Sequence, residues 1–92
     1  MLEFEWDPRK ARANQRKHGV SFEEATDVFS DNLSSTASDP DHSEGELRFV
    51  IFGRTKTDRY LVVGFTERDD RIRLISARLM MPSERQAYES KG

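Results

Sequence analysis

The sequence predicts an α+β domain ordered β-α-α-β-β-β-α, with its helices packed on one face of an antiparallel sheet. Three observations predict it. Helix-start signatures stand at Asp7-Pro8 and at Ser21-Phe22-Glu23-Glu24. From Leu47 onward the apolar residues recur with period two. Two short polar turns then link three such runs, which is the pattern of an antiparallel meander.

The first strand is Leu2-Glu3-Phe4-Glu5-Trp6, where apolar and acidic residues alternate. Asp7 caps a helix from about Pro8 to His18, and proline suits its first position. Gly19 supplies a left-handed C-terminal cap, and Lys17 and His18 place positive charge in the last turn. A second helix runs from about Phe22 to Ser30, with Phe22, Ala25, Val28 and Phe29 on one face. Residues 31–46 read as one long polar loop carrying several acids and His42.

The next strand alternates Leu47, Phe49 and Ile51 against Arg48, Val50 and Phe52. Tyr60 to Glu67 is nearly apolar throughout, as a central strand should be. Arg71 to Leu79 alternates again, and Pro82 opens a last helix to about Glu89. The sheet face away from the helices is the expected working surface.

The chain has 92 residues, 35% hydrophobic and 35% charged. One domain over residues 1–92, with a small core, is what that length allows. The net charge is −2. Residues 1–47 hold 5 basic and 11 acidic groups, whereas residues 48–92 hold 10 basic and 6 acidic. That asymmetry raises the prior for a polyanion face on the C-terminal half. There is no cysteine, which removes disulfides, thiolate nucleophiles and cysteine metal sites together. The acidic N-terminus is unlike a signal peptide, and the longest apolar run, Leu61 to Phe65, is too short to span a bilayer. The expectation is a soluble cytoplasmic protein without membrane contact.

Several side chains have both a chemical and a structural reading. Lys17 and His18 could be an acid–base pair, because histidine titrates near neutrality, or cations that stabilise a helix end. Arg73 and Arg78 could bind phosphate bidentately or pair with Glu67 or Glu46 across strands. Their separation is odd, so strict alternation places them on opposite faces unless a bulge intervenes. Glu67 could be a general base, an arginine orienter or an ordinary strand-end carboxylate. Arg48 and Arg59 are ambiguous in the same way. Tyr60 and Tyr88 could stack on bases or fill a core. Asp39, Asp41, Glu44, Glu46 and His42 match no metal-site spacing, so neither a metal nor another cofactor is expected.

Three segments together carry a resemblance. They are Phe4-Glu5-Trp6-Asp7 with Lys17-His18-Gly19-Val20-Ser21-Phe22-Glu23-Glu24-Ala25; Gly45-Glu46-Leu47-Arg48 with Phe52-Gly53; and Arg73-Leu74-Ile75-Ser76-Ala77-Arg78 with Glu84-Arg85 and Tyr88-Glu89. The chain resembles the BrnT family, the toxin half of a bacterial type II toxin–antitoxin system. The resemblance implies a RelE-like fold and a metal-independent ribonuclease that arrests translation. It implies a BrnA-like ribbon-helix-helix antitoxin encoded nearby, and operator DNA contacted only through that antitoxin. It puts Lys17, His18, Arg48, Arg73 and Arg78 at stake, and Glu67 less distinctively. Arg73 and Arg78 would hold the phosphate, and Lys17, His18 and Glu67 would share the acid and base roles. Arg48, Arg59, Tyr60 and Tyr88 would bind RNA. The alternative is a module of the same fold that binds RNA or antitoxin without cutting. Met80-Met81 departs from the polar residues expected before the last helix.

Overall fold

The computed structural model describes residues 2–39 and 47–90. Strand β1 is Glu3–Glu5, helix α1 Pro8–His18 and helix α2 Phe22–Ala25, which continues as a 3-10 helix over Thr26–Ser30. Strands β2 (Ser35–Ser38), β3 (Phe49–Arg54), β4 (Tyr60–Arg68) and β5 (Arg71–Leu79) follow, and helix α3 is Pro82–Glu89. The sheet order is β1-β5-β4-β3-β2.

The helix ends form as their residues dictate. The Asp7 carboxylate accepts from Arg9 N at 2.8 Å, and Ser21 Oγ accepts from Glu24 N at 3.0 Å. Gly19 takes φ +69° and donates its N–H to Gln15 O, closing α1. Met81 offers no capping oxygen, and Glu84 of α3 instead accepts from Met81 N at 2.7 Å. The second helix changes from α to 3-10 winding after Ala25, with Val28 buried and Phe29 packed against the core.

Three expectations need correction. The polar segment after Ser30 is not all loop: Ser35–Ser38 is an edge strand, paired antiparallel with Phe49–Phe52 of β3. Residues 40–46 of that segment, His42 among them, lie outside the described residues. The sheet is mixed rather than antiparallel, because β1 runs parallel to β5 with Glu3 opposite Arg71 and Glu5 opposite Arg73. The helices also occupy both faces. The α1, α2 and 3-10 layer covers one, where Val20, Phe22, Ala25 and Val28 meet Ile51, Leu61, Val63, Phe65, Leu74 and Ala77. Helix α3 lies against the other, where Tyr88 packs edge-on against Tyr60 of β4 and Arg85 stacks over the Tyr60 ring at 3.9 Å.

Strands β4 and β5 join through Asp69 and Asp70, at φ +51° and +67°. Two left-handed residues in a two-residue link suit the twist of a hairpin, and aspartate tolerates that region. Beside the core, Phe4, Phe29, Phe65 and Phe49 form a chain of ring contacts with centroids 5.1–5.5 Å apart. Among the described residues no helix is long and apolar enough to cross a membrane.

Candidate functional site

The site begins with a register shift. Opposite β4, Ser76 pairs with Gly64 and Leu74 with Phe65, so Ile75 is an extra residue in β5. Its insertion reverses the phase of the strand. Ile72 and Leu74 before it face the core, and so does Ala77 after it. Arg73 is opposite Thr66 and Arg78 opposite Val62. Those partners are four residues apart on β4, so the two arginines share the face away from the core.

Each arginine there holds a carboxylate. Arg73 Nη1 donates to Glu5 Oε2 at 2.9 Å, and Arg71 lies 3.6 Å from both Glu3 and Glu5. Arg78 grips Glu84 bidentately, with both hydrogen bonds at 2.9 Å. The hydrogen bond from Arg73 holds Glu5 below the usual carboxylate range. The one from Arg78 does the same to Glu84, and Glu84 in turn raises Arg78. Between the two arginines the floor is small. Gly64 has no side chain, and a Cβ there would lie 2.7 Å from Ser76 Oγ.

Lys17 and His18 reach the same strand from its edge. With Lys10, Ala13, Ile75 and Ser76 they line a cleft of about 240 Å³ between α1 and β5. Ser76 therefore belongs both to the cleft and to the arginine-bearing face. The edge of β5 is held here by Asn14, which sequence reasoning missed. Asn14 is buried; its Nδ2 donates to Ala77 O at 2.8 Å and Val20 O at 2.9 Å, and its Oδ1 accepts from Ala77 N at 3.0 Å. The amide thus substitutes for a neighbouring strand where β1 has ended. One signal pointed to it: Asn14 lies on the α1 stripe of Ala11 and His18, at spacings of three and four. Glu5 and Glu84 were also missed, as the partners of the arginines.

The remaining residues lie elsewhere or are engaged. Glu67 is opposite Ile72 and lines a hollow with Phe29, Phe49 and Phe65, on the sheet face away from Arg73. Arg59 donates to Gly19 O at 3.0 Å and lies 3.4 Å from Glu24, beside α2. Arg48 directly precedes β3 and alternates with Phe49, so it faces the same side as Arg73 and Arg78. Its Nε is buried. Tyr60 is covered by Arg85 and Tyr88, and the buried Tyr88 donates its hydroxyl to Asp31. Among the described residues no group of three histidines or carboxylates is placed to hold a metal ion.

A five-stranded mixed sheet with an arginine-bearing face and a lysine–histidine cleft at its edge defines a small α+β protein whose basic groups gather along β5. Its fold is similar to the 1.1 Å crystal structure of the Brucella abortus ribonuclease toxin BrnT, with a TM-score of 0.64 and 20% identity over 88% of this chain and 99% of that one. A family model described as the ribonuclease toxin, BrnT, of type II toxin–antitoxin systems matches residues 6–84. The chain belongs to the BrnT family of ribonuclease toxins. No curated protein matches the chain.

Proposed function

We propose that this chain is a metal-independent endoribonuclease of RelE-like fold that arrests translation in the cytoplasm. Its site is the stretch of β5 around Ser76. The observation that carries the reading is the extra residue Ile75, which turns Arg73 and Arg78 to one face with the Lys17–His18 cleft alongside. RNA supplies its own nucleophile, so the protein needs none. The 2′-oxygen bonds to phosphorus as the P–O5′ bond breaks. The base takes the 2′-hydroxyl proton, and the acid returns a proton to O5′. A 2′,3′-cyclic phosphate and a 5′-hydroxyl remain. Arg73 and Arg78 neutralise the phosphorane oxygens, leaving Glu5 and Glu84 to do so. Lys17 and His18 are the proton-transfer groups in this reading. Glu67 faces the opposite side of the sheet and takes no part. The partner is a ribbon-helix-helix antitoxin, and operator DNA is bound only through it.

The test is cleavage of RNA by antitoxin-free protein in the presence of a chelator. Cyclic-phosphate ends are expected. Arg73→Gln or Arg78→Gln should lower the rate by about 100-fold or more, the scale for losing one transition-state donor. His18→Gln should also lower it, with circular dichroism unchanged. Binding without cleavage by the parent protein would sink the enzyme reading. It would favour a second one, a non-catalytic RNA- or antitoxin-binding module. That rival is supported by the carboxylates already seated on Arg73 and Arg78.

A further inference from the structure

Helix α1 carries Arg9, Lys10, Arg12, Arg16 and Lys17 and no acid. That isolates a basic element inside the acidic half of the chain. The arginines of the sheet and of α3 are differently placed. Arg54, Arg59, Arg71, Arg73, Arg78 and Arg85 each have a carboxylate within 4 Å, at 2.9–3.7 Å. No cation of α1 has one among the described residues. Asp7 feels Arg9 and Lys10 electrostatically but stands outside ion-pair distance.

The placement on the helix is ordered. Asn14, Ala11 and His18 turn toward the sheet, Asn14 being buried. Arg9, Arg12 and Arg16, three and four residues apart, form one exposed ridge. Lys10 and Lys17 flank Ala13 on the neighbouring stripe and line the cleft at Ser76. Like charges at these spacings repel, and Arg9 and Lys10 sit at the helix end where the macrodipole disfavours cations. Asp7 eases this at Arg9 and Lys10, but no carboxylate among the described residues pairs with a cation of the helix. The ridge offers no apolar side chain for the dry centre of a protein interface. A polyanion both neutralises it and needs no such centre.

We propose that the Arg9–Arg12–Arg16 ridge of α1 grips the phosphate backbone of single-stranded RNA and leads it into the Lys10–Lys17 cleft beside Ser76. This rests on the ribonuclease reading for the identity of the polyanion. The ridge spans about 10 Å along the helix axis, or about three steps of a stacked strand at 3.4 Å each. Substrate length then matters: a dinucleotide fills the site without touching the ridge, whereas a longer RNA uses both.

The experiment uses the full chain and a fluorescent, uncleavable 2′-O-methyl RNA oligonucleotide, with a cleavable dinucleotide as the second probe. In Arg9→Gln/Arg12→Gln/Arg16→Gln the slope of log affinity against log salt should fall by about 2, since each single-strand phosphate contact contributes about 0.7. Affinity at 0.1 M salt should drop on the order of a hundredfold. Dinucleotide cleavage should be unchanged. Unchanged oligonucleotide affinity and slope would overturn the proposal. So would lost dinucleotide cleavage with circular dichroism intact, or a loss confined to antitoxin binding. A parent that binds the oligonucleotide but cleaves nothing refutes the ribonuclease reading, and the ridge is still judged by the slope.

Discussion

Arg78 and Glu84 meet through two parallel hydrogen bonds of 2.9 Å each, and Glu84 also accepts from Met81 N at 2.7 Å. One carboxylate therefore both joins β5 to α3 and starts α3. Glu84→Gln keeps an acceptor for Met81 N and removes the charge. The pair is partly exposed, at 36% and 21%, so screening limits its worth to about 0.5–1 kcal/mol. The expected result is a small drop in melting temperature with a gain in RNA affinity, because Arg78 is released. Calorimetry and a binding titration check the two halves. Weaker RNA binding in Glu84→Gln would remove Arg78 from the phosphate site.

The pH dependence of stability follows from Glu84 and Asp31. The Arg78 hydrogen bonds pull Glu84 below its ordinary 4.5. For Asp31 the largest single influence is burial, which pushes it up. The Tyr88 hydroxyl and the N–H groups of Leu33 and Arg54 together outweigh that and leave it below 3.8. A carboxylate with a depressed folded value adds stability above its unfolded value and loses it as pH falls through the folded one. The melting temperature should thus begin to fall near pH 4.5 and keep falling below 3.8. Glu84→Gln should flatten the upper part of that decline.

Tyr88 ties α3 to the segment before β2. Its hydroxyl donates to Asp31, which also accepts from Leu33 N at 2.9 Å and Arg54 N at 2.8 Å. Tyr88→Phe leaves Asp31 with two of its three donors, the backbone N–H groups of Leu33 and Arg54. The cost should be about 1–2 kcal/mol, or roughly 5–10 °C of melting temperature. Burial, and then Asp31, push Tyr88 up to about 12. Absorbance at alkaline pH should show a late-ionising tyrosine in the parent that is lost in Tyr88→Phe.

Asn14→Ala removes the amide that completes the β5 edge. Ala77 N–H, Ala77 O and Val20 O are left without it in a buried setting. The expected loss is about 3 kcal/mol. Amide exchange at Ala77 should accelerate more than at Val63 in the centre of β4. Equal acceleration would mean global destabilisation rather than a local edge role.

Gly53 and Gly64 separate two kinds of close approach. A Cβ at Gly53 would lie 2.8 Å from Val28 Cβ and 3.2 Å from Val28 O, against backbone that cannot yield. Gly53→Ala should cost about 1–3 kcal/mol. At Gly64 the obstacle is Ser76 Oγ, which can rotate away. Gly64→Ala should unfold at nearly the parent temperature, and Ser76→Gly should relieve what remains.

Most helix ends were legible because local chemistry sets them: Asp7 with Pro8, Gly19, and Ser21 with Glu24. Strands β3 and β5 were legible from period two, and β4 from its nearly continuous apolar run between two turns. Strand β2 was hidden because Ser35–Ser38 has no apolar alternation. An edge strand needs only the backbone ladder along Phe49–Phe52. The parallel pairing of β1 with β5 joins residues about seventy positions apart, beyond any local pattern. Of the site, residue types were legible and faces were not. Arg73 and Arg78 share a side only through Ile75, whose extra place in the ladder depends on the register of β4. Glu5 read only as part of the alternation of β1, and Glu84 only as part of the family resemblance; their grip on the arginines emerged in three dimensions.

Ile75 itself contributes little to the core, and the ladder of β5 can lose it. Deleting it would set Leu74 directly before Ser76, and plain alternation would then keep Leu74 opposite Phe65 and Ser76 opposite Gly64. Ile72, Leu74 and Ala77 would stay on the core side, with Arg73 and Arg78 together on the other. Ile75→Thr or Ile75→Val should be nearly silent, and the Ile75 deletion should still fold.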